Sequence, residues 1–307
     1  MPRGRWRPLA IVSCVAVCAA APMARQQFRA AVEVVNVPVV VSDRSGRVVT
    51  DLTIEDFVVL EDGKPQALTY FSRGSAEDGP PLRLGLLLDA SESMEQDLKA
   101  ASSAAVRFVG EMPDARDVTF VEFATGIRLS RFSPPSYPML FERIRDRHAG
   151  GSTALYDALY RYVGSTFERS GQHVVLMHTD GGDSTSSRTF GDLQTLLRSA
   201  NVLVYVIGYL ENQSTSVRAA QQMRVTQIAR ETGGEAYFPG SAEDLGRAYE
   251  KIRAEIAGRY TLGYVPAAVR ADGRFHRVEV KLADPGRRDL RVRARSGYLV
   301  PAADGRR

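Results

Sequence analysis

Two stretches of this 307-residue chain place hard oxygen donors directly after runs of apolar residues. Asp89-Ala90-Ser91-Glu92-Ser93 follows the apolar run 84–88. Asp180-Gly181-Gly182-Asp183 follows the run 174–177 by way of His178 and Thr179. A third stretch, Gly150-Gly151-Ser152-Thr153, precedes a helical pattern. Aspartate, serine and threonine offer only carboxylate and hydroxyl oxygens. That donor set suits a hard divalent cation, Mg²⁺ with Mn²⁺ or Ca²⁺ as alternatives, and not a soft metal. The paired glycines let backbone approach an ion closely. Asp-x-Ser-x-Ser alone is a weak signal, because serine and aspartate also cap helices, and Ser93 could cap the helix that follows it. Three such stretches in order, each at a strand end or a helix start, favour one metal site built from Asp89, Ser91, Ser93, Thr153 and Asp180.

The surrounding pattern supplies elements that can carry such a site. Residues 84–88 and 174–177 read as strands buried on both faces, as in a parallel sheet covered by helices. Further strands are expected at 118–123, 127–132, 202–207 and 235–238. Helices are expected at 94–109, 139–144, 154–167, 190–199, 217–230 and 245–256, the last but one stopped by Gly233-Gly234. This alternation predicts a doubly wound, mainly parallel α/β domain over about 82–257, with ligands beyond the carboxyl ends of its strands. Both flanks are β-patterned. Strands are expected at 31–41, where Pro38 implies an edge or bulge, and at 47–49. Residues 58–60 and 68–71 read as a hairpin about the turn Glu61-Asp62-Gly63-Lys64. The end of the chain adds strands at 260–265, 275–282 and 290–295. Neither flank is large enough to stand alone. We therefore expect 31–73 and 258–300 to pack together as one small antiparallel β domain, with the α/β domain inserted between them.

Composition narrows the function classes. Arg3, Arg5 and Arg7 precede an apolar run of only 13 residues, Leu9 to Ala21, too short to span a bilayer comfortably. A basic start, a short apolar core and a small-residue end predict a signal peptide over 1–24 and a periplasmic or secreted protein. An uncleaved anchor and a lipobox at Cys14 are the alternatives. The two cysteines, Cys14 and Cys18, both fall in this segment, leaving no thiol chemistry to the exported chain. Without the three arginines the chain carries 37 Lys and Arg against 36 Asp and Glu, which is not the balance of a nucleic-acid binder. The arginines at 287, 288, 291, 293 and 295 alternate in part with apolar residues. They are read as the outward face of a half-solvated strand, with a polyanion-binding strand as the alternative.

No serine elbow, histidine-rich metal motif or phosphate-binding glycine loop is present in the sequence. His178, two residues before Asp180, is read as a strand-end histidine facing the core or a groove, although its chemistry would suit a general base. His173 is read as a surface residue at a strand start, and His148 and His276 have no context that singles them out. Asp183 is either a supporting acceptor or a solvated turn residue. Asp157 is read as a local cap or surface pair rather than a metal contact.

The five oxygen-bearing residues resemble the metal-ion-dependent adhesion site of the von Willebrand factor type A fold. That resemblance implies Mg²⁺ held partly through water, and an open coordination position that takes an acidic group from a partner. The flanking stretches Val37-Pro38-Val39-Val40-Val41, Leu52-Thr53-Ile54-Glu55-Asp56-Phe57, Tyr260-Thr261-Leu262-Gly263-Tyr264 and Arg295-Ser296-Gly297-Tyr298 are similar to those of exported bacterial type A domain proteins first recognised as abundant in Acidobacteria. Many of those relatives have Gly where this chain has Glu92, whose carboxylate either faces solvent or occupies the open position. The expectation is a metal-dependent, adhesion-like binding module and not an enzyme. Its partner would be another protein, met through an acidic side chain and selected by the loops 134–138 and 211–216, with no nucleic acid. Peripheral membrane association and oligomeric state stay open. The alternatives are a metal-assisted hydrolase with His178 as base, and an envelope structural protein with a stabilising metal.

Overall fold

The computed structural model describes residues 34–74, 80–211, 213–266 and 272–300. The expected signal segment with Cys14 and Cys18 lies outside them. The chain opens with β1 (Val35–Ser42), β2 (Phe57–Glu61), β3 (Lys64–Gln66) and β4 (Leu68–Arg73). Strands and helices then alternate: β5 (Leu82–Asp89), α1 (Leu98–Gly110), β6 (Ala115–Phe123), β7 (Ile127–Phe132), α2 (Tyr137–Arg145), α3 (Leu155–Gly164), β8 (Gln172–Thr179), α4 (Phe190–Ser199), β9 (Val202–Gly208), α5 (Thr215–Glu231), β10 (Ala236–Tyr237) and α6 (Ala242–Gly258). The chain returns to strands in β11 (Tyr260–Tyr264), β12 (Phe275–Leu282), β13 (Arg291–Ala294) and β14 (Gly297–Leu299). Among the described residues no helix is long and apolar enough to cross a membrane.

The alternating part forms a six-stranded sheet in the order β10-β9-β8-β5-β6-β7, parallel except for the edge strand β7. β5 and β8 are neighbours at its centre, which explains their unbroken apolar runs: successive side chains enter two different cores. Leu84, Leu86 and Leu88 pack with α1, α2 and α6 on one face. Leu87 packs with α3, α4 and α5 on the other. Burial of each such leucine contributes about 1.5–3 kcal/mol. Gly85 lies under Tyr162 of α3, so close that a Cβ would stand 2.4 Å from the ring. The glycine in the central strand thus lets α3 settle onto the sheet.

Both chain ends build two flanking antiparallel sheets, ordered β13-β1-β11-β4 and β14-β12-β2-β3. β1 pairs with β11 and β13, and β2 pairs with β12, so N- and C-terminal segments complete each other. The two sheets share one apolar core that includes Val37, Val39, Phe57, Val59, Leu262 and Val278. Pro38 is tolerated inside β1 because β13 reaches only Val39–Ser42, leaving Pro38 paired on the β11 side alone. The hairpin turn forms at Asp62 (φ 49°) and Gly63 (φ 80°), both left-handed as a tight two-residue turn requires. Its return strand, however, is β3 at Lys64–Gln66 and not the expected 68–71. Residues Leu68–Arg73 instead cross to the other sheet and pair with β11. Residues 47–49 make only an isolated bridge, Ser42 to Val48.

A second expectation fails at the C-terminal arginines. Arg291 stays exposed, but Arg295 is buried. Its guanidinium donates to the carbonyls of Gly297 (2.7 Å), Ala200 (3.3 Å) and Arg198 (2.6 Å). Arg293 donates to the Gly233 carbonyl at 3.0 Å and pairs with Glu235 and with buried Glu255. These side chains turn inward because the α/β domain supplies acceptors beneath them, which the strand's own alternation cannot report.

His173 also departs from its surface reading. It is buried at the start of β8, its Nε2 3.0 Å from the Arg169 carbonyl. Burial holds its pKa below the ordinary 6.5; the Arg169 carbonyl opposes this, and the charges of Arg83 and Arg169 add to it. Because the folded-state value is depressed, the unfolded chain takes up the proton first on acidification. Stability is therefore present above the unfolded pKa and falls as pH drops through about 6.5 and below. The urea midpoint should decline over that window, and His173→Gln should flatten the decline; an unchanged profile in the variant would reject this origin.

Candidate metal centre

Each of the three loops forms because its strand or helix ends there. Asp89 is the last residue of β5, and the chain turns at once into a 3-10 turn, Glu92–Met94. Ser93 therefore caps nothing; α1 begins later, at Leu98. Asp89 Oδ1 accepts from the Ser91 backbone N–H at 3.0 Å and from Ser91 Oγ at 2.6 Å. Ser91 Oγ lies 3.1 Å from Ser93 Oγ. Thr179, at the end of β8, donates its hydroxyl to Asp89 Oδ2 at 2.7 Å. Thr179 Oγ1 in turn accepts from the Gly181 N–H at 3.0 Å, which shapes the turn that carries Asp180. Asp180 Oδ1 accepts from the Gly182 N–H (2.8 Å), and Oδ2 from Gln213 Nε2 (3.0 Å), a residue of the 211–216 loop.

The third loop is stitched to the other two. The Glu92 N–H donates to the Gly151 carbonyl at 3.0 Å, and the Gly150 N–H to the Ala90 carbonyl at 2.9 Å. Gly151 adopts φ 76°, and a Cβ there would stand 2.6 Å from Thr125 Oγ1, so only glycine fits both conditions. The Thr153 carbonyl accepts from Ser184 and Thr185, and its N–H donates to Ser184 Oγ at 3.0 Å. Ala154 has no side chain with which to cap α3. Asp183 and Ser186 do so from the loop after β8, accepting from the N–H groups of Tyr156 and Asp157 at 3.1 Å each. Asp183 is thus a supporting acceptor and not a solvated turn residue. Asp157 ties the same loop from the other side, accepting from Ser187 and Arg188.

These contacts bring Asp89, Ser91, Ser93, Thr153 and Asp180 to one end of the parallel sheet. Asp89, Ser91, Thr153 and Asp180 are buried, while Ser93 is exposed, so the cluster opens to solvent at Ser93. Glu92 is also exposed, in keeping with the solvent-facing reading of its carboxylate. Burial pushes the Asp89 carboxyl up to about 6 against the hydrogen bonds from Ser91 and Thr179, and the charge of Asp180 adds to the rise. No basic side chain is among the groups that offset this cost.

A hard cation fits this arrangement. A hydroxyl that gives a lone pair to a metal must direct its proton elsewhere, and Ser91 already directs its proton to Asp89. Two neighbouring ligands of an octahedral Mg²⁺ stand about 2.9 Å apart, given bonds of about 2.0–2.1 Å. The Ser91–Ser93 separation of 3.1 Å is close to that. The cation would also neutralise two buried carboxylates. Thr179 is the member of this hydrogen-bonded set that the sequence does not single out; a threonine ending an apolar strand looks like any other strand residue.

His178 faces the core. It is fully buried, with Nδ1 3.0 Å from the Tyr209 hydroxyl and Nε2 3.0 Å from the Tyr249 hydroxyl. Burial lowers its pKa to about 3, so the ring is neutral and both nitrogens are engaged. It is poorly placed for the base role that the hydrolase alternative required. His178→Phe should cost about 1–3 kcal/mol by stranding buried hydroxyls, yet leave the Mg²⁺ dissociation constant within about twofold. Chemical denaturation and calorimetry on the same variant check both halves.

A second group lies in the flanking sheets. Glu61, Asp62 and His276 place ligand atoms within 4.8 Å of one another and could hold a metal ion. His276 is buried, its Nδ1 2.9 Å from Asp62 and its Nε2 3.4 Å from Asp272. Glu61 Oε2 accepts from Tyr264 at 2.7 Å and Tyr298 at 2.9 Å. The tight turn at Asp62-Gly63 was legible in the sequence, but nothing local linked it to a histidine more than 200 residues away.

Residues 84–251 match the family model of the von Willebrand factor type A domain. No curated protein matches the chain. Among solved structures it is similar to a von Willebrand factor type A protein from Catenulispora acidiphila (16% identity, 81% of this chain and 74% of that chain, TM-score 0.49). It is also similar to a D319A mutant of the PilB minor pilin from Streptococcus sanguinis (13%, 60% and 63%, TM-score 0.46). A third is proximal thread matrix protein 1 from the mussel byssus, with a zinc-occupied MIDAS motif (19%, 64% and 49%, TM-score 0.47). With the family model covering more than half of the residues, this chain belongs to the von Willebrand factor type A domain family.

Proposed function

We propose that the protein is an exported binding module whose divalent ion, Mg²⁺ in the first instance, bridges to a carboxylate of a partner protein. Asp89 and Asp180 balance the charge of the ion, and Ser91, Ser93 and Thr153 orient it. The observation that carries the reading is the convergence of Asp89, Ser91, Ser93 and Thr179 in one hydrogen-bonded set that opens at Ser93. Periplasmic or secreted location, within the exported group that the sequence resembles, rests on the basic and apolar pattern of residues 1–24. The boundaries 31–73, 82–257 and 258–300 are proposed as the domain limits of the mature chain. The Glu61–Asp62–His276 group favours a second, structural ion in the flanking sheets as an additional reading.

Calorimetry with Mg²⁺, Mn²⁺ and Ca²⁺ on wild type and Asp180→Ala tests the ion: binding should be lost in the variant. Pull-downs from envelope extract, in Mg²⁺ and in chelator, test the bridge. Partners retained equally under both conditions would sink it.

A further inference from the structure

We infer that the partner of the metal centre is an acidic protein segment that engages two points: the ion, through one carboxylate, and a basic cleft beside it, through another. This deepens the proposed function and rests on it.

The cleft begins at the metal loops themselves. It measures about 370 Å³, and its lining includes Ala90, Gly150, Phe123, Arg128, Arg147 and His148. Ala90 lies between Asp89 and Ser91, and Gly150 stands three residues before Thr153. The far wall is bonded to the same loops: the Ala90 N–H donates to the Phe123 carbonyl at 2.8 Å, and the Ala154 N–H to the Ala124 carbonyl at 3.0 Å. Beyond Arg147 and His148 a second cleft continues, about 590 Å³, and adds Lys99 and Arg145 with Glu95 as its acid.

The charge here is unbalanced by construction. Buried Glu122 accepts from Arg143 at 3.2 Å and from Arg147, and it forms an ion pair with Arg128 at 3.4 Å. One carboxylate cannot neutralise three guanidiniums, so two positive charges are left over, and Arg128 keeps 70% of its side chain exposed. Planar guanidiniums are well suited to carboxylate. Without Arg3, Arg5 and Arg7 the chain is close to neutral by sequence, so this patch is local, and its lining reaches Ala90 and Gly150 of the loops that carry Asp89 and Thr153. A local patch of this size beside a carboxylate-accepting ion fits a protein segment carrying several acids better than a nucleic acid, which needs an extended basic face.

The test uses the full chain and two fluorescein-labelled peptides in fluorescence anisotropy. One peptide carries a single glutamate in a Gly/Ser frame; in the other, the flanking residues are glutamates too. The variant Arg128→Gln/Arg145→Gln leaves Glu122 paired with Arg143 and Arg147. In Mg²⁺ the acidic peptide should bind wild type about tenfold tighter than the single-glutamate peptide, from two partly exposed charge contacts of roughly threefold each. The double variant should lose that advantage, and with it the extra salt dependence, while its single-glutamate affinity stays within about twofold. If the advantage survives in the variant, the cleft is not the second point and the inference is overturned, with the metal bridge intact. If the acidic peptide binds equally in chelator, or inorganic polyphosphate displaces it regardless of Mg²⁺, the cleft is a free polyanion site and the two-point inference falls. If neither peptide binds although calorimetry detects Mg²⁺, the bridge itself fails.

Discussion

In chelator, Asp89→Asn should melt at or above the wild-type temperature, and added Mg²⁺ should leave it there while raising wild type by about 5–10 °C. The first half follows from burial. Asp89 is fully buried next to Asp180, and its charged form is disfavoured by that environment. Asparagine has the same shape, its carbonyl can accept the two bonds from Ser91 that Asp89 now accepts, and its amide nitrogen takes the place of Oδ2, so Thr179 Oγ1 must turn from donating there to accepting. The loss of that one neutral acceptor is offset by the removal of a buried charge. The second half follows from mass action. Mg²⁺ at about 100 times its dissociation constant stabilises the folded state by about 2.7 kcal/mol. In a protein of this size each kcal/mol moves the midpoint by about 2–4 °C. Differential scanning calorimetry in EDTA and in Mg²⁺ reads both. An Asp89→Asn variant that responds to Mg²⁺ like wild type would remove Asp89 from the ion's surroundings.

Arg293→Met should cost about 3–5 kcal/mol in urea unfolding, the largest single-residue effect expected outside the hydrophobic cores. Arg293 joins the C-terminal flank to the α/β domain through Glu235, Glu255 and the Gly233 carbonyl. Glu255 is buried, with a side-chain exposure of only 3%. Although burial works against it, the charges of Glu255 and Glu235 hold Arg293 firmly protonated. Removing the arginine leaves a buried carboxylate without its cation, and that penalty is the cost. The double variant Arg293→Met/Glu255→Met should recover most of the loss, because a well-packed apolar pair can replace a buried ion pair at little expense. If the single variant loses less than about 1 kcal/mol, the pair is solvated in solution and does not hold the two parts together.

The two variants probe features that differed in how readable they were. Asp89, Ser91 and Asp180 stand out as candidates in the sequence because each follows an apolar strand within a few residues, and hard-oxygen chemistry is a property of side-chain type. The turn at Asp62-Gly63 was equally plain, since left-handed backbone demands such residues. Thr179 was overlooked, because its role depends on β8 lying beside β5 in register, with Leu88 opposite His178. The role of Asp183 is hidden for the same kind of reason: the Tyr156 N–H that it accepts from lies 27 residues earlier in the chain.

The errors share one cause. Alternation in residues 290–295 correctly signals a strand with two faces, but the acids that draw Arg293 inward are Glu235, just before β10, and Glu255 of α6. A strand start such as His173 commonly lies at the surface, whereas here the ring is buried with its Nε2 on the Arg169 carbonyl. Residues 68–71 looked like the second arm of a hairpin, yet β4 finds better partners in β11 across the sandwich. From residue types and short-range spacing alone came the strand and helix periods, the tight turns and the oxygen character of the loops at 89–93, 150–153 and 180–183, because these depend on backbone sterics and side-chain chemistry within a few positions. Which strands pair, which charges are buried, and how Thr179, Gln213 and Asp183 brace those loops were settled only by the folded chain, because those contacts join residues whose distance along the sequence says nothing of their distance in space.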